Sequence, residues 1–488
     1  MPLIVKILLT LLSLSMLGQT PGVVTRGDLM KRSEYQTFDA LPLFVDSLGS
    51  DDNDCLGTGV NACLTIAGAL SRVPKLINTP VTISIASGSF AGAQVSGFTI
   101  GEARSTAAGA YLSIIGTLVT STTLLSGPTT GTFDSGTAGT ASPAVFGTAT
   151  KLLAGWTVND LRGRFIEITG GTGSGQVKVI QSNTVDTITI AGTFSPSPNG
   201  TSTFALRDSG TNITSGVVVP ASINGAAGVT PNGFLITSNT GDATASGTSL
   251  SVGVSQCKFT NVGIGVTATG ATKLLLRRNQ FMVTAGGVFL TKNASINLDT
   301  NALMLAAAQI GLTVGSDVSS TFVTQNLIRG GSIGVSTANV SSWMMLGTAI
   351  EAQTSSGISM NGGVGQAQLN GNRFDCAGVG AGIFVLSSFS GGKLGVDLGG
   401  SGGDISSCVT GIDASGTHHF SLAAVWSGAG NTTAISVSKG SALQLSAAST
   451  ITGVTELSID GTAFTVAAMR AAVPKVISDI NHGSRVYE

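Results

Sequence analysis

The sequence predicts an all-β fold, a parallel β-helix built as a solenoid, on three observations. The first is a strand pattern that returns about every 22 to 25 residues between about residues 250 and 380. Asn279, Asn301, Asn326 and Asn372 each follow an apolar residue by three places (Leu276, Leu298, Val323, Leu369) and precede another by two (Phe281, Leu303, Ile328, Phe374). Thr348 fills the place between Asn326 and Asn372, flanked at the same offsets by Met345 and Ile350. A unit this short cannot enclose a core, so each must bury its apolar face against the next. The second observation is a further apolar column, usually just after glycine, at Ile264, Val288, Ile310, Ile333, Ile358 and Ile383, with later members at Ile412, Ile435 and Leu457. The third is the grammar of the runs: β-branched or aromatic residues spaced by two and separated by Gly, Ser and Thr clusters, which is strand rather than helix. Short strands stacked at the ~4.8 Å inter-strand spacing make a parallel β-helix.

Asparagines aligned at a turn hydrogen-bond along the stack and satisfy backbone groups where the chain bends inward, so the column reads as structural. The rungs, apolar-x-x-Asn-x-apolar, resemble the right-handed β-helices of the pectate-lyase-like superfamily, and through them phage tail spikes, tail fibres and bacterial surface β-helix proteins. The resemblance covers about half the chain and implies a right-handed single-stranded parallel β-helix; it specifies fold, not chemistry.

Composition agrees with a folded β protein. Charged residues make up 10% and aromatics 5% of the chain, with 68 glycines among 488 residues; an ordinary domain carries about 25% charge. The formal net charge of −1 leaves no electrostatic case for a nucleic-acid partner, which calls for a basic stripe. A surface of small neutral polar groups suits contact with sugars or proteins, and close subunit association, since few charges need desolvating.

Taken in chain order, residues 1–40 form an apolar arm and a charged linker. Met1 to Leu17 carries Lys6 and then an apolar stretch with the length of a signal-peptide core, but a thin positive flank and no small-x-small cleavage site. It is too short for a membrane span. It serves either as a signal peptide or as an assembly arm that stays and is buried in something. Thr25 to Phe38 is the most charged stretch and reads as a linker or attachment segment; its Arg26-Gly27-Asp28 is a three-residue match of the kind that arises by chance.

Residues 41–150 open the β-helix. Leu43 to Cys55 gives a short strand and an acidic turn. Asn61 is expected to cap a helix over 61–73, with Leu64, Ala67, Leu70 and Val73 on one face and Pro74 beyond it. Val81 to Phe90 alternates as a strand. This order resembles the opening of many bacterial and phage pectate-lyase-like β-helices, where the helix closes the sticky end of the solenoid. Residues 151–208 break the rhythm and read as a small antiparallel insertion with strands Arg164–Thr169, Gln176–Gln181 and Thr187–Ala191, similar to one common in phage-encoded β-helical surface proteins. The glycine-rich run 170–175 lacks the Lys-Ser/Thr and the helix of a phosphate loop, because Gln176 opens a strand; it is a hairpin. The main β-helix spans 209–465, and 466–488 form a C-terminal tail.

Little chemistry is on offer. His418, His419 and His482 have no metal-spaced partners, and the adjacent pair points to opposite faces of a strand. Cys55, Cys63, Cys257, Cys376 and Cys408 contain no CxxC; Cys55 and Cys63 either close a disulfide ring around the acidic loop or stand as free buried thiols. Asp51, Asp52 and Asp54 lack the glycine and glutamate of a calcium loop and read as a solvated turn. No metal or cofactor is expected. Taking the asparagine column as register, Arg329, Glu351 and Asp375 fall at the same position in three successive coils. Two carboxylates ~5 Å apart match retaining glycosidase geometry; the alternative is a surface ladder in which Arg329 pairs with Glu351 and Asp375 is solvated. No aromatic sugar platform adjoins them apart from Phe374, a core residue. No catalytic residue is therefore expected, Glu351 and Asp375 being the candidates if there is one.

The expected function is a structural appendage of a virion or phage-like particle, of the tail spike or tail fibre type. Residues 1–40 would attach it to other particle proteins, and the shaft, a homotrimer whose subunits protect its lateral faces, would meet a host surface glycan or receptor. The alternatives are a polysaccharide depolymerase on the same scaffold and a secreted bacterial surface adhesin.

Overall fold

Strands such as Val81–Ile85, Leu250–Ser255 and Thr272–Arg277 bury every second side chain, and each pairs in parallel with the strand one turn of the solenoid later. The computed structural model describes residues 37, 39–100, 111–120, 130–132, 145–147, 157–185, 187–199, 202–218, 231–238, 250–292, 294–315, 318, 320–386, 394–415, 418–422, 426–438, 442–445, 450–465, 476–478 and 485–487. The apolar arm, the Arg26-Gly27-Asp28 triplet and His482 lie outside these.

Three parallel sheets climb together. The first carries an inward ladder from Leu43 through Ile83, Ile114, Val254, Leu276, Leu298, Val323 and Met345 to Leu369. The second runs from Phe90 through Ile213, Phe259, Phe281, Leu303, Ile328, Ile350 and Phe374 to Ile405. The third runs from Phe234 through Val266, Val288, Leu312, Val335, Ile358, Ile383, Ile412 and Ile435 to Leu457. Nearly all are fully buried in one continuous core, and Phe259 stacks on Phe281 with ring centroids 4.7 Å apart. The chain is a right-handed single-stranded parallel β-helix, the hand that crossover connections between twisted strands favour.

The two apolar positions flanking the asparagine stand in the register expected of them. The second column expected from the sequence needs correction, because it merges two positions. Ile264, Ile310 and Ile333 pair with Gly286 and Ser356 at the edge of the third sheet, whereas Val288, Ile358 and Ile383 share the core ladder with Val266, Leu312 and Val335. Between the two lies a glycine in each coil: Gly265, Gly287, Gly311, Gly334, Gly357 and Gly382. A Cβ at Gly287 would sit 2.4 Å from the Gly311 carbonyl oxygen and 2.7 Å from Leu303, and one at Gly334 would sit 2.6 Å from the Gly357 oxygen and 2.7 Å from Ile350. The core side chains of the second sheet fill the space a side chain here would need.

The asparagines form the corner between the first and second sheets. The Asn279 amide N donates to Asn301 Oδ1 at 2.9 Å, that of Asn301 to Asn326 Oδ1 at 2.7 Å, that of Asn326 to Thr348 Oγ1 at 3.4 Å, and that of Thr348 to Asn372 Oδ1 at 3.0 Å. Each side-chain Nδ2 in turn donates to the carbonyl of the preceding coil, at Val254, Leu276, Leu298 and Met345. Cys257 occupies the seat below Asn279. The residue before each seat, Gln256, Arg278, Thr300, Gln325, Gly347 and Gly371, is left-handed with φ between 53° and 60°. A second polar corner was not legible in the sequence: Gln309, Gln353 and Asn431 reach back to Val283, Ile328 and Ile405 carbonyls. Between these levels the Cys376–Cys408 disulfide joins adjacent coils, with Cα atoms 4.7 Å apart.

At the N-terminal end the helix is shorter than expected, Ile66–Ser71, and Asn61 does not cap it. Asn61 ends a 3-10 turn, Gly59–Asn61. Thr65 is the cap, its Oγ1 accepting from the Gly68 amide at 2.9 Å, and Asp51 holds Thr65 by its amide and hydroxyl. The buried face is Ile66, Ala69, Leu70 and Val73, while Leu64 is exposed. The acidic loop is closed by a Cys55–Cys63 disulfide.

The antiparallel insertion carries strands Phe165–Gly170, Val177–Asn183 and Thr187–Ile190, with Thr203–Ser209 completing it. Leu118–Thr120, Thr130–Thr132 and Val145–Gly147 also join, so it reaches back before residue 151. The chain leaves the solenoid near Gly116 and returns at Thr211, where the Thr117 amide donates to Thr211 Oγ1 at 2.9 Å. That is the asparagine corner, and the insertion therefore folds over the second sheet.

The corner ladder predicts a graded loss. Asn326→Ala removes the acceptor of the Asn301 amide and two donated bonds, leaving buried backbone groups unpaired at about 1–3 kcal/mol each. Asn326→Thr keeps an acceptor, as Thr348 does in its coil. Thermal unfolding should rank wild type above Asn326→Thr above Asn326→Ala; equal melting of all three contradicts the ladder.

Candidate functional site

The second sheet turns two rows of side chains outward, one on each side of its core ladder. The row before the ladder reads Gln280, Ala302, Leu327, Ala349, Arg373, Asp404. Its apolar members lie under the insertion, packed against Phe165, Val177, Val179 and Ala191. Its charged members lie beyond the insertion. The row after the ladder reads Met304, Arg329, Glu351, Asp375, Ser406. The register drawn from the asparagines thus does bring Arg329, Glu351 and Asp375 onto successive strands.

The insertion changes what those residues are. Glu351 is 4% exposed. Its Oε2 pairs with Arg329 Nη1 at 2.9 Å and its Oε1 with Arg373 Nη2 at 3.0 Å, and Gln181 of the insertion donates to the same Oε1. Arg162 Nε holds the Gln181 carbonyl at 2.7 Å; burial, then the Arg329 guanidinium, pulls Arg162 below its ordinary value while Glu351 opposes this. Glu351 is therefore the acceptor at the centre of a pin joining insertion to shaft, and not part of a surface ladder. A second pin is Lys178, which donates to Gln325 in the left-handed corner row and lies 5.9 Å from the Phe194 ring centre. Burial lowers Lys178 to about 8, Asp299 opposing and Arg277 and Arg278 adding to it.

Between the insertion's rim (Gln181, Gly192, Thr193) and the shaft lies a cleft of about 520 Å³. Its lining mixes apolar and polar groups, with Asn370, Arg373, Asp375, Asp404, Ser406 and Ser427 among the polar ones on the shaft side. The left-handed corner row explains why it is open. That row carries Gln256, Arg278, Thr300 and Gln325 beside the insertion, then Gly347 and Gly371 at the cleft, and nothing lies within 4 Å of a Cβ built on Gly371. Asp375 accepts from the Ala377 amide at 3.2 Å. Asp404 accepts from the hydroxyls of Ser406 at 2.8 Å and Ser427 at 3.4 Å. The two aspartates sit on adjacent strands, offset by two residues, which places their Cα atoms about 8 Å apart from strand spacings alone.

Of the sequence-derived candidates, Asp375 lines the cleft and Glu351 lies beneath its edge. His418 and His419 stand on strand His418–Leu422, opposite Leu394 and Gly395. Among the described residues no three His, Cys, Asp or Glu side chains gather as a metal site, and no helix is long and apolar enough to cross a membrane. Arg373 was within reach of the sequence, since it sits two places before Asp375 and must share its face. Asp404 and Ser427 were not, because their coils lack the asparagine and the interval between rungs lengthens there. Gln181 gave no signal at all.

No protein-family model matches this chain, and no curated protein sequence matches it. Solved structures that resemble it include a glycoside hydrolase, at 10% identity over 91% of this chain and 99% of that one with a TM-score of 0.29. A complex of XylC with xylose is similar at 11% identity over 85% and 73%, TM-score 0.28. The tailspike protein gp49 from Pseudomonas phage LKA1 is similar at 13% identity over 80% and 67%, TM-score 0.25. At these values the likeness carries no chemistry, and the β-helix is read from its own register.

Two outcomes are expected. Glu351→Gln leaves two guanidiniums without their shared anion at a site the insertion covers; discounted for the partly exposed arginines, the loss is about 2–3 kcal/mol. Hydrogen exchange should quicken in Val177–Asn183 before the shaft strands, and unchanged exchange there contradicts the pin. Lys178 titrates near 8 in the fold and near its ordinary 10.5 when unfolded, so the folded protein binds fewer protons between those values and stability rises with pH across that window. Lys178→Met should raise the melting temperature at pH 7 and lose most of that gain by pH 10.5; a constant difference contradicts the burial argument.

Proposed function

We propose that this chain is a host-contacting appendage of a virion or phage-like particle, of the tail spike or tail fibre type, and that the cleft beside the insertion is where it grips a surface glycan. The observation that carries the reading is the cleft itself: a concave, hydrogen-bonding floor on a rigid sheet, opened by the corner glycines Gly347 and Gly371. Its volume lies within the range of small-ligand sites, and sites on rigid elements hold their groups in place without ordering costs. A role in binding or degrading polysaccharide fits a surface with so few charges. In this reading residues 1–40 attach the chain to other particle proteins, the subunits associate as a homotrimer, and the protein acts outside the cell.

A depolymerase is the second reading, favoured by one observation, the placing of Asp375 and Asp404 on the same cleft floor. Glu351 is a poor candidate for the acid, since both its oxygens are gripped. It is read as the residue that positions the insertion.

Gly371→Asn tests the site with little risk to the fold, because Asn tolerates the left-handed conformation and its side chain projects into open space. Binding to host-surface polysaccharide should fall by about tenfold or more, the loss of ~1.4 kcal/mol or more of contact, with unchanged melting; full binding by this variant places the glycan elsewhere. Release of reducing ends by the wild type, lost in Asp375→Asn and Asp404→Asn, decides for hydrolysis over binding.

A further inference from the structure

We infer that the cleft selects glycans that are uncharged or carry amino groups, and excludes polyanionic ones such as polyuronates; this rests on reading the cleft as a glycan site. The charged side chains of the lining are Arg373, Asp375 and Asp404. Arg373 is the cation a uronate would need; its Nη2 already holds Glu351 at 3.0 Å, and Asp404 stands opposite it in register on the next strand. Neither Asp375 nor Asp404 forms an ion pair with a described lysine or arginine; their partners are the Ala377 amide and the Ser406 and Ser427 hydroxyls. The nearby cations of the insertion do not help, since Lys178 is turned to Gln325 and Phe194 and Arg162 holds the Gln181 carbonyl.

A carboxylate entering the cleft therefore meets two like charges against a single guanidinium, one that already shares Glu351 with Arg329. A hydroxyl, an amide N–H or an ammonium meets acceptors with lone pairs to spare, since an ionised carboxylate offers about four acceptor sites and charge-assisted bonds are the stronger kind. Among the described residues that line the cleft there is no Phe, Tyr or Trp, and the selection is argued from charge and hydrogen bonding. Like charges at these separations in a partly wet groove weaken binding by about tenfold at low salt.

The test uses the full chain and three tetrasaccharide probes, of glucosamine, of N-acetylglucosamine and of galacturonate, titrated at low salt with a chelator present so that no divalent cation bridges carboxylates. The wild type should bind the first two at least about tenfold more tightly than the third. Asp375→Asn with Asp404→Asn should erase most of that ratio, chiefly by weakening the glucosamine probe and strengthening the galacturonate one, and raised salt should narrow it in the wild type. Galacturonate bound as tightly as the others, and lost in Gly371→Asn, overturns the selectivity while leaving the glycan site standing. Binding that Gly371→Asn leaves untouched, or no binding of any probe, overturns the site and the selectivity with it.

Discussion

Each coil of this solenoid must turn a sharp corner between its first and second sheets, and there the backbone amides of one coil have no strand to pair with. The side chains of Asn279, Asn301, Asn326, Thr348 and Asn372 meet that need, each accepting from the amide of the coil below and, for the asparagines, donating back to its carbonyl. A buried polar group without such a partner is costly, so the ladder fixes the level of every coil relative to the next. The aromatic and aliphatic ladders on either side then follow, because the side-chain period of two leaves them one facing only. The ladder stops where its seat is taken by Gly403, whose Cβ would lie 2.2 Å from the Asn372 carbonyl.

That same corner governs where the rest of the molecule sits. The insertion leaves and returns there, so it can only fold over the neighbouring second sheet, whose row before the core ladder sets apolar Ala302, Leu327 and Ala349 against it and carries Arg373 and Asp404 further along. The residues just before the ladder, held left-handed by the turn, form the seam along which the insertion lies. Gln325 accepts from Lys178 of the insertion there, and glycines at 347 and 371 line the cleft beyond. Position along one column thus separates a packed interface from a ligand-sized hollow, with no change in backbone geometry between them.

The shaft was legible in the sequence because its determinants repeat: the asparagine seats, their flanking apolar residues and the stacking of Arg329, Glu351 and Asp375 all came from one register. What repeats less cleanly was misread. The third-sheet column was merged across the glycines because successive coils put isoleucine on either side of them. The cap was placed at Asn61 because Thr65 and Asp51, which hold the helix together, are recognised only once the loop has folded back. The site was half legible, in Asp375 and, with the same register, Arg373. The environment of Glu351 was not, since its burial comes from Gln181, 170 residues away in sequence, and Asp404 lies on a coil whose spacing departs from the repeat.

The central claim is that ligand recognition lives at the junction of insertion and shaft, on residues the corner ladder places together. Hydroxyl-radical footprinting of the full chain with and without a polysaccharide that it binds tests this most directly. Protection concentrated on the segments around Asn370 to Asp375 and Asp404 to Ser406, with the rim near Gly192, is the predicted result. Protection confined to the glycine-lined third sheet or to the cap around Leu48 to Leu64, with those segments unchanged, would contradict it.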